Sequence, residues 1–70
     1  MKSEEVVFIG AVGAGTGAVI HGKFGISTGN AVLDVGIGVA IAAIGWYMDY
    51  DGFGDFVEGF GVGYALDAAL

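Results

Sequence analysis

The side chains that could do chemistry in this chain are few and widely spaced. His21 is the only histidine and there is no cysteine, so the usual donors for a zinc site are missing. We expect His21 to be a polar residue in a turn, close to Lys23. Ser27, Thr28 and Thr16 have no base at a spacing that would activate a hydroxyl as a nucleophile.

The acidic and glycine-rich stretches also do not match the calcium-loop and phosphate-loop motifs. Asp49, Asp51 and Asp55 could suggest a calcium loop, which needs acids at alternate positions, a glycine at position six and a glutamate at position twelve. Counted from Asp49, position twelve is Phe60, and we interpret the three aspartates as helix-terminal residues. The GAGTG stretch Gly13–Gly17 is not followed by the Gly-Lys-Ser/Thr of a phosphate loop. We therefore expect no catalytic, cofactor-binding or metal site, no cofactor and no small-molecule substrate.

Composition limits the class of protein. The chain has 70 residues, 15 glycines, no proline and a formal net charge of −6. A domain this short usually needs a disulfide, a metal or a partner for stability. Two basic residues cannot neutralise many phosphates, which argues against a nucleic-acid partner. Glu4 and Glu5 stand where a signal peptide needs positive charge, so we expect residues 1–70 to be one mature domain without a linker.

Two apolar segments must position these side chains. Val6–Ile20 is uncharged, and Ala31–Met48 carries only Asp34, near a cap that Thr28 or Asn30 could provide. As helices both approach the length of a bilayer core. Trp46, Tyr47 and Tyr50 stand at the far end of the second segment, where an aromatic belt is expected. The favoured interpretation is contact with lipid or detergent, and the alternative is burial within a larger protein assembly.

A strand interpretation competes over part of the second segment. Large residues at Val35, Ile37, Val39 and Ile41 alternate with Gly and Ala, which is the period of a β-strand. The period breaks within Ala40–Ile44, so a helix is favoured.

Small residues recur at helical spacing. Apolar helices in lipid associate through such residues, because they let backbones approach closely. Two small faces on the second helix predict two neighbours, its hairpin partner and a copy of the chain. The predicted helix-packing residues are Gly10, Gly13, Gly17, Gly36, Gly38, Ala42, Gly45, Gly59 and Gly63.

The C-terminal stretch carries an aromatic stripe at helical spacing. We predict an amphipathic helix over about 53–68, capped by Asp51, that lies in the membrane interface or packs on a neighbouring subunit. The predicted aromatic interface comprises Trp46, Tyr47, Phe53, Phe56, Phe60 and Tyr64.

The stretch Ile9–Ile20, IGAVGAGTGAVI, resembles glycine-zipper hairpin membrane proteins. The layout of residues 6–50 is similar to the coat proteins of spindle-shaped archaeal viruses, and this resemblance implies self-assembly into an apolar shell. Gly10–Ile20 also resembles the ring subunit of rotary ATP synthases. That family has a carboxylate midway along its second helix, where this chain has Gly38–Ile44, and Glu58 comes too late to replace it.

These observations predict an all-α fold. It comprises a Gly/Ala-rich helical hairpin, about 5–21 and 30–49, and a short C-terminal helix, and the chain is homo-oligomeric. The predicted function is non-enzymatic: a structural protein of a membrane or virion shell whose partners are copies of itself and lipid. The alternative is a small accessory subunit or a holin-like pore former of a membrane complex.

Overall fold

The computed structural model describes residues 3–48 and 52–70, and the regular structure within them is helical. The helices are α1, Ser3–Gly22; α2, Ala31–Tyr47; and α3, Phe53–Ala69. The prediction of three helices is confirmed, with ends that differ by about two residues or fewer. The strand alternative within α2 is wrong. Asp49, Tyr50 and Asp51, the last of them expected to cap α3, lie outside the described residues.

Local hydrogen bonds explain where α2 begins and ends. Oδ1 of Asn30 accepts the amide N–H of Val32 at 2.9 Å and that of Leu33 at 3.2 Å. This cap satisfies two amides that no helical carbonyl can reach. Met48 is extended, with φ −68° and ψ 133°, so the helix stops at Tyr47. The cap lies next to the alternating residues in sequence, and it favours a helix there over a strand.

The loop between α1 and α2 is tied back to the end of α1. The amides of Lys23 and Phe24 donate to the carbonyl of Val19 at 2.7 and 3.2 Å. Gly25 and Gly29 have φ of +65° and +83°, a left-handed conformation that glycine adopts without strain. The chain therefore reverses tightly and keeps its polar residues close to both helix ends.

The third helix packs between the other two. Gly13 of α1 lies beside Phe56 of α3, and Gly17 lies beside Phe60 and Tyr64. Residue numbers rise together along this contact, so α1 and α3 run parallel. The sequence did not predict this position: α3 is the central helix of its own chain rather than a helix lying apart in a membrane interface. Packing of α3 on a neighbouring subunit stays a prediction.

The second helix contacts α3 in the opposite sense. Gly38 lies beside Ala65, and Gly45 lies beside Glu58, so α2 and α3 are antiparallel. Among the described residues, no Cα of α1 lies within 8 Å of a Cα of α2. Helices α1 and α2 follow one another in the chain, but each of them packs against α3 rather than against the other.

The interior of the bundle is made of backbone rather than of large side chains. Among the described residues the buried set is Gly13, Gly17, Asp34, Gly38, Gly45, Gly54, Gly61, Gly63 and Tyr64. Tyr64, 5% exposed, is the one large apolar side chain in this set. Large apolar side chains point outward instead, for example Phe8, Val32, Trp46 and Tyr47 at 69%, 80%, 75% and 84% exposure. This arrangement inverts the usual order of a water-soluble domain.

One helix in the described part of the chain is long and apolar enough to cross a membrane. It covers Glu4–Gly22, 19 residues with a mean hydropathy of 1.4, and only 11% of its apolar window is buried inside the bundle. The helix meets this description by its length and composition alone. The apolar helix α2 is shorter, at 17 residues.

Candidate functional site

Two glycine seams hold the bundle together, one on each side of α3. The first seam joins α1 to α3 and comprises Gly13, Gly17, Gly59 and Gly63; the second joins α2 to α3 and comprises Gly38, Ala42, Gly45 and Gly61. A methyl group on Gly63 would lie 2.6 Å from Cα of Ala14, and one on Gly38 would lie 2.6 Å from the backbone nitrogen of Ala65. Real carbon contacts essentially never come below 3.0 Å, so the helices approach this closely only because the residues are glycine.

The structure distributes the predicted glycines unevenly. Gly10 contributes its backbone to the first seam, opposite Gly59, although a methyl group on Gly10 itself would point into open space. Gly36 is exposed, and among the described residues a methyl group on it would also meet nothing within 4 Å. Gly61 belongs to the second seam and was not predicted. Its Gly61-x-x-x-Ala65 spacing is the signal that could have identified it.

The predicted aromatic residues fall into two groups. Phe56, Phe60 and Tyr64 form a ladder along α3, with ring centroids 6.4 and 6.5 Å apart at its two steps. Trp46, Tyr47 and Phe53 are exposed near the junction of α2 and α3. The first group therefore packs along the bundle, and the second lies on its outer surface at one end.

A polar clasp joins the opposite end of all three helices. Its members are His21 at the end of α1, Asp34 at the start of α2 and Asp67 at the end of α3. Nε2 of His21 lies 3.0 Å from Oδ2 of Asp34, and Nδ1 lies 2.6 Å from Oδ2 of Asp67. The expectation for His21 is thus corrected: it lies within the last turn of α1, its side chain is only 14% exposed, and it bridges two carboxylates.

Asp34 is 2% exposed, and its carboxylate accepts hydrogen bonds at both oxygens. Oδ2 accepts the hydroxyl of Ser27 at 2.5 Å, and Oδ1 accepts the hydroxyl and amide of Thr28 at 2.6 and 2.9 Å. The Ser27 hydroxyl, the Thr28 hydroxyl and amide, and His21 hold the pKa of Asp34 well below its ordinary value of 3.8. Ionised Asp34 therefore stabilises the fold above that ordinary pKa, and this stabilisation is lost as the pH falls below it.

Tyr64 supports the clasp from α3. Its ring meets the imidazole of His21 edge-on, with centroids 4.7 Å apart. Its hydroxyl donates to the carbonyl of Ile26 in the loop at 2.7 Å. Tyr64 therefore links α3 to both α1 and the loop, and these contacts bury its side chain.

The geometry of the clasp is that of a hydrogen-bonded brace. Asp34 accepts from Ser27 and Thr28 in the loop and lies against His21 of α1, so its hydrogen bonds tie the loop to both helices. The sequence did not predict the clasp, because its partners are 13 and 46 residues from His21. The isolated charges of Asp34 and Asp67 within apolar stretches are the one signal that singles them out.

The other acidic groups of the described residues lie toward the opposite end of the bundle. Glu4 and Glu5 lie in the first turn of α1, and Asp55 lies in the first turn of α3. Glu58 is half-buried one turn further on, with its backbone against Gly45. The residues Val6–Ile20 of α1 carry no formal charge between the two polar ends.

Comparison with protein family models, with curated proteins and with solved structures finds no match to this chain.

Proposed function

We propose that this chain is a non-enzymatic structural protein that works as many copies in a membrane or in a membrane-like shell. The observation that carries the proposal is the inverted distribution of side chains, with glycine backbone inside and large apolar groups outside. Leaving one valine, leucine or phenylalanine in water rather than burying it costs about 1.5–3 kcal/mol. A surface with so many of these residues needs a covering of lipid or protein.

The length of the bundle and the polar groups at its two ends support lipid as one covering of the exposed apolar surface. Helix α1 has the length and composition of a membrane span. The polar clasp and the acidic residues lie toward opposite ends, and exposed Trp46 and Tyr47 lie near one of those ends. Aromatic side chains of this kind favour the boundary between hydrocarbon and water. The exposed sides of α1 and α2 then face hydrocarbon, and the loop joining them faces water.

Copies of the chain are the second covering in this proposal. The seam glycines are already used within the chain, so contact between copies needs small residues that face outward. Helix α2 has such a face in Gly36, Ala40 and Ala43, which are exposed and recur at helical spacing. Close packing of this face against another copy would supply the van der Waals contact that drives association in lipid. A shell of this kind corresponds to the virion-coat form of the proposal.

The proposal is tested by substituting Gly36, since it is exposed and a carbon added there meets no described atom within 4 Å. Gly36→Leu should reduce the size of the assembly, measured by analytical ultracentrifugation in density-matched detergent and by electron microscopy. Far-UV circular dichroism should show unchanged helix content. The matched control is Gly15→Leu, which makes the same substitution at an exposed glycine of α1, where an added carbon also meets nothing within 4 Å. Assemblies of equal size for Gly36→Leu and the parent chain would contradict contact through this face.

The same preparation separates the proposal from the alternative of an accessory subunit or pore former. A structural protein should form regular particles, sheets or filaments when purified alone. A subunit of a larger complex should remain a small detergent-bound species. Leakage of a dye from lipid vesicles that contain the chain would favour a pore former and contradict a purely structural role.

A further inference from the structure

The two hydrogen bonds of His21 determine which nitrogens of its imidazole ring must carry a hydrogen. Asp34 already accepts hydrogen bonds from Ser27 and Thr28, and its fourth contact is Nε2 of His21 at 3.0 Å. An ionised carboxylate only accepts hydrogen bonds. Nε2 must therefore carry a hydrogen and donate it to Asp34, whether or not the imidazole is charged.

The contact between His21 and Asp67 needs a second hydrogen. Nδ1 lies 2.6 Å from Oδ2 of Asp67, and two bare lone pairs would repel each other at that distance. The hydrogen is either on Nδ1, in a charged imidazolium, or on the carboxyl group of Asp67. Both descriptions place one proton in this contact in addition to the hydrogen on Nε2.

We propose that one proton held between His21 and Asp67 is a latch that closes the last turn of α3 onto the end of α1, and that its removal opens this turn. When a solvent base takes the proton, Nδ1 keeps a lone pair and Asp67 keeps its negative charge. The hydrogen bond is then replaced by repulsion. The latch is closed at low pH and opens as the pH rises.

The surroundings of the clasp determine which part opens. Titratable groups face His21 from α2 through Asp34 and from α3 through Asp67 and Tyr64, and Lys23 follows it in the exposed loop. Asp34 is fixed by its loop donors, and Tyr64 is fixed by its bond to the loop. Asp67 has a side chain that is 36% exposed, so it can turn toward water. Opening is therefore confined to residues 67–70.

The decisive variant is Asp67→Asn. A neutral amide can donate its N–H to the lone pair of Nδ1 while Nε2–H continues to donate to Asp34. The variant should therefore stay closed at high pH, where the parent chain opens. Asp55→Asn is the matched control, because it removes one carboxylate from the opposite end of the same helix and should leave the pH dependence intact.

The measurement is nuclear magnetic resonance of the ¹⁵N-labelled chain in detergent micelles, from about pH 5 to about pH 9, which brackets the ordinary pKa of histidine. In the parent chain the proton at Nδ1 should be lost in one step, leaving the Nε2–H form. Protection of the Ala68–Leu70 amides, corrected for intrinsic exchange, should fall by roughly tenfold, as expected for losing one hydrogen bond to a charged group. In Asp67→Asn this protection should not change with pH.

Three results would overturn the latch. One is a neutral imidazole that carries its hydrogen on Nδ1, because Nε2 could then not donate to Asp34. The others are an Asp67→Asn chain that keeps the pH-dependent loss of protection, and an Asp55→Asn chain that loses it. Circular dichroism shows whether each variant keeps its helices. The imidazole titration of the parent chain decides the question if Asp67→Asn does not fold.

Discussion

The first glycine seam should tolerate no added carbon, whereas the outer side of the same helix should accept one. Gly17 and Gly15 are two residues apart in α1, and each can be replaced by alanine. A methyl group on Gly17 would lie 2.9 Å from the carbonyl carbon of Phe60 and from the nitrogen of Tyr64, and closer still to the Phe60 carbonyl oxygen. A methyl group on Gly15 would meet nothing within 4 Å.

The size of the effect follows from these distances. Carbon atoms pack at about 3.5–4.0 Å, so α1 and α3 must move apart by at least about 0.6 Å to admit the methyl group at Gly17. A gap of about 0.5–1 Å forfeits a quarter to a half of the attraction at each contact it opens. Overpacking of this kind costs about 1–3 kcal/mol. All three atoms in contact belong to backbone, so no side-chain rotation can relieve the clash.

Helix propensity acts in the opposite direction and is the same for both variants. Alanine favours a helix over glycine by about 1 kcal/mol, so Gly15→Ala should be neutral or stabilising by up to that amount. Because both variants gain the same helix propensity, the difference between their unfolding free energies contains only the packing cost at Gly17. Gly17→Ala should therefore be less stable than Gly15→Ala by about 1–3 kcal/mol.

The assay is unfolding in mild detergent on titration with a denaturing detergent, followed by far-UV circular dichroism. Each variant is compared with the parent chain at the same detergent-to-protein ratio. Agreement of the two variants to within about 0.5 kcal/mol, the usual scatter of surface substitutions, would refute the close approach of α1 and α3.

Two further predictions concern hydrogen bonds at the ends of the bundle. Asn30→Ala removes the acceptor for the amides of Val32 and Leu33 and should lower the free energy of unfolding by about 1 kcal/mol. Asn30→Gly should lower it by only about a few tenths of a kcal/mol. Equal losses in the two variants would show that the cap does not act as described. Tyr64→Phe keeps the ring but leaves the carbonyl of Ile26 without its donor, and it should lower stability by about 1 kcal/mol in the same assay. An unchanged midpoint for Tyr64→Phe would mean that water replaces the hydroxyl at no cost.

The sequence by itself determined which segments are helical, because that choice depends on neighbours along the chain. The break in alternation within Ala40–Ile44 and the polar cap at Asn30 both favour a helix over a strand in α2. The spacing of small residues likewise predicted that helices would meet backbone to backbone. These are local patterns with a period of a helical turn, and they can be read without knowing the partner.

Only the tertiary structure decided which helices meet. A helix face made of glycine carries no side chains that distinguish one partner from another. From the sequence alone, the small-residue face of α2 fits α1, α3 or a second copy equally well. In the structure α3 packs between α1 and α2. The face of α2 that was predicted to contact its hairpin partner α1 therefore contacts α3 instead. The same packing carried Asp67 to His21 across 46 residues and created the polar clasp. Such contacts depend on long-range packing, which a residue's sequence neighbours do not encode.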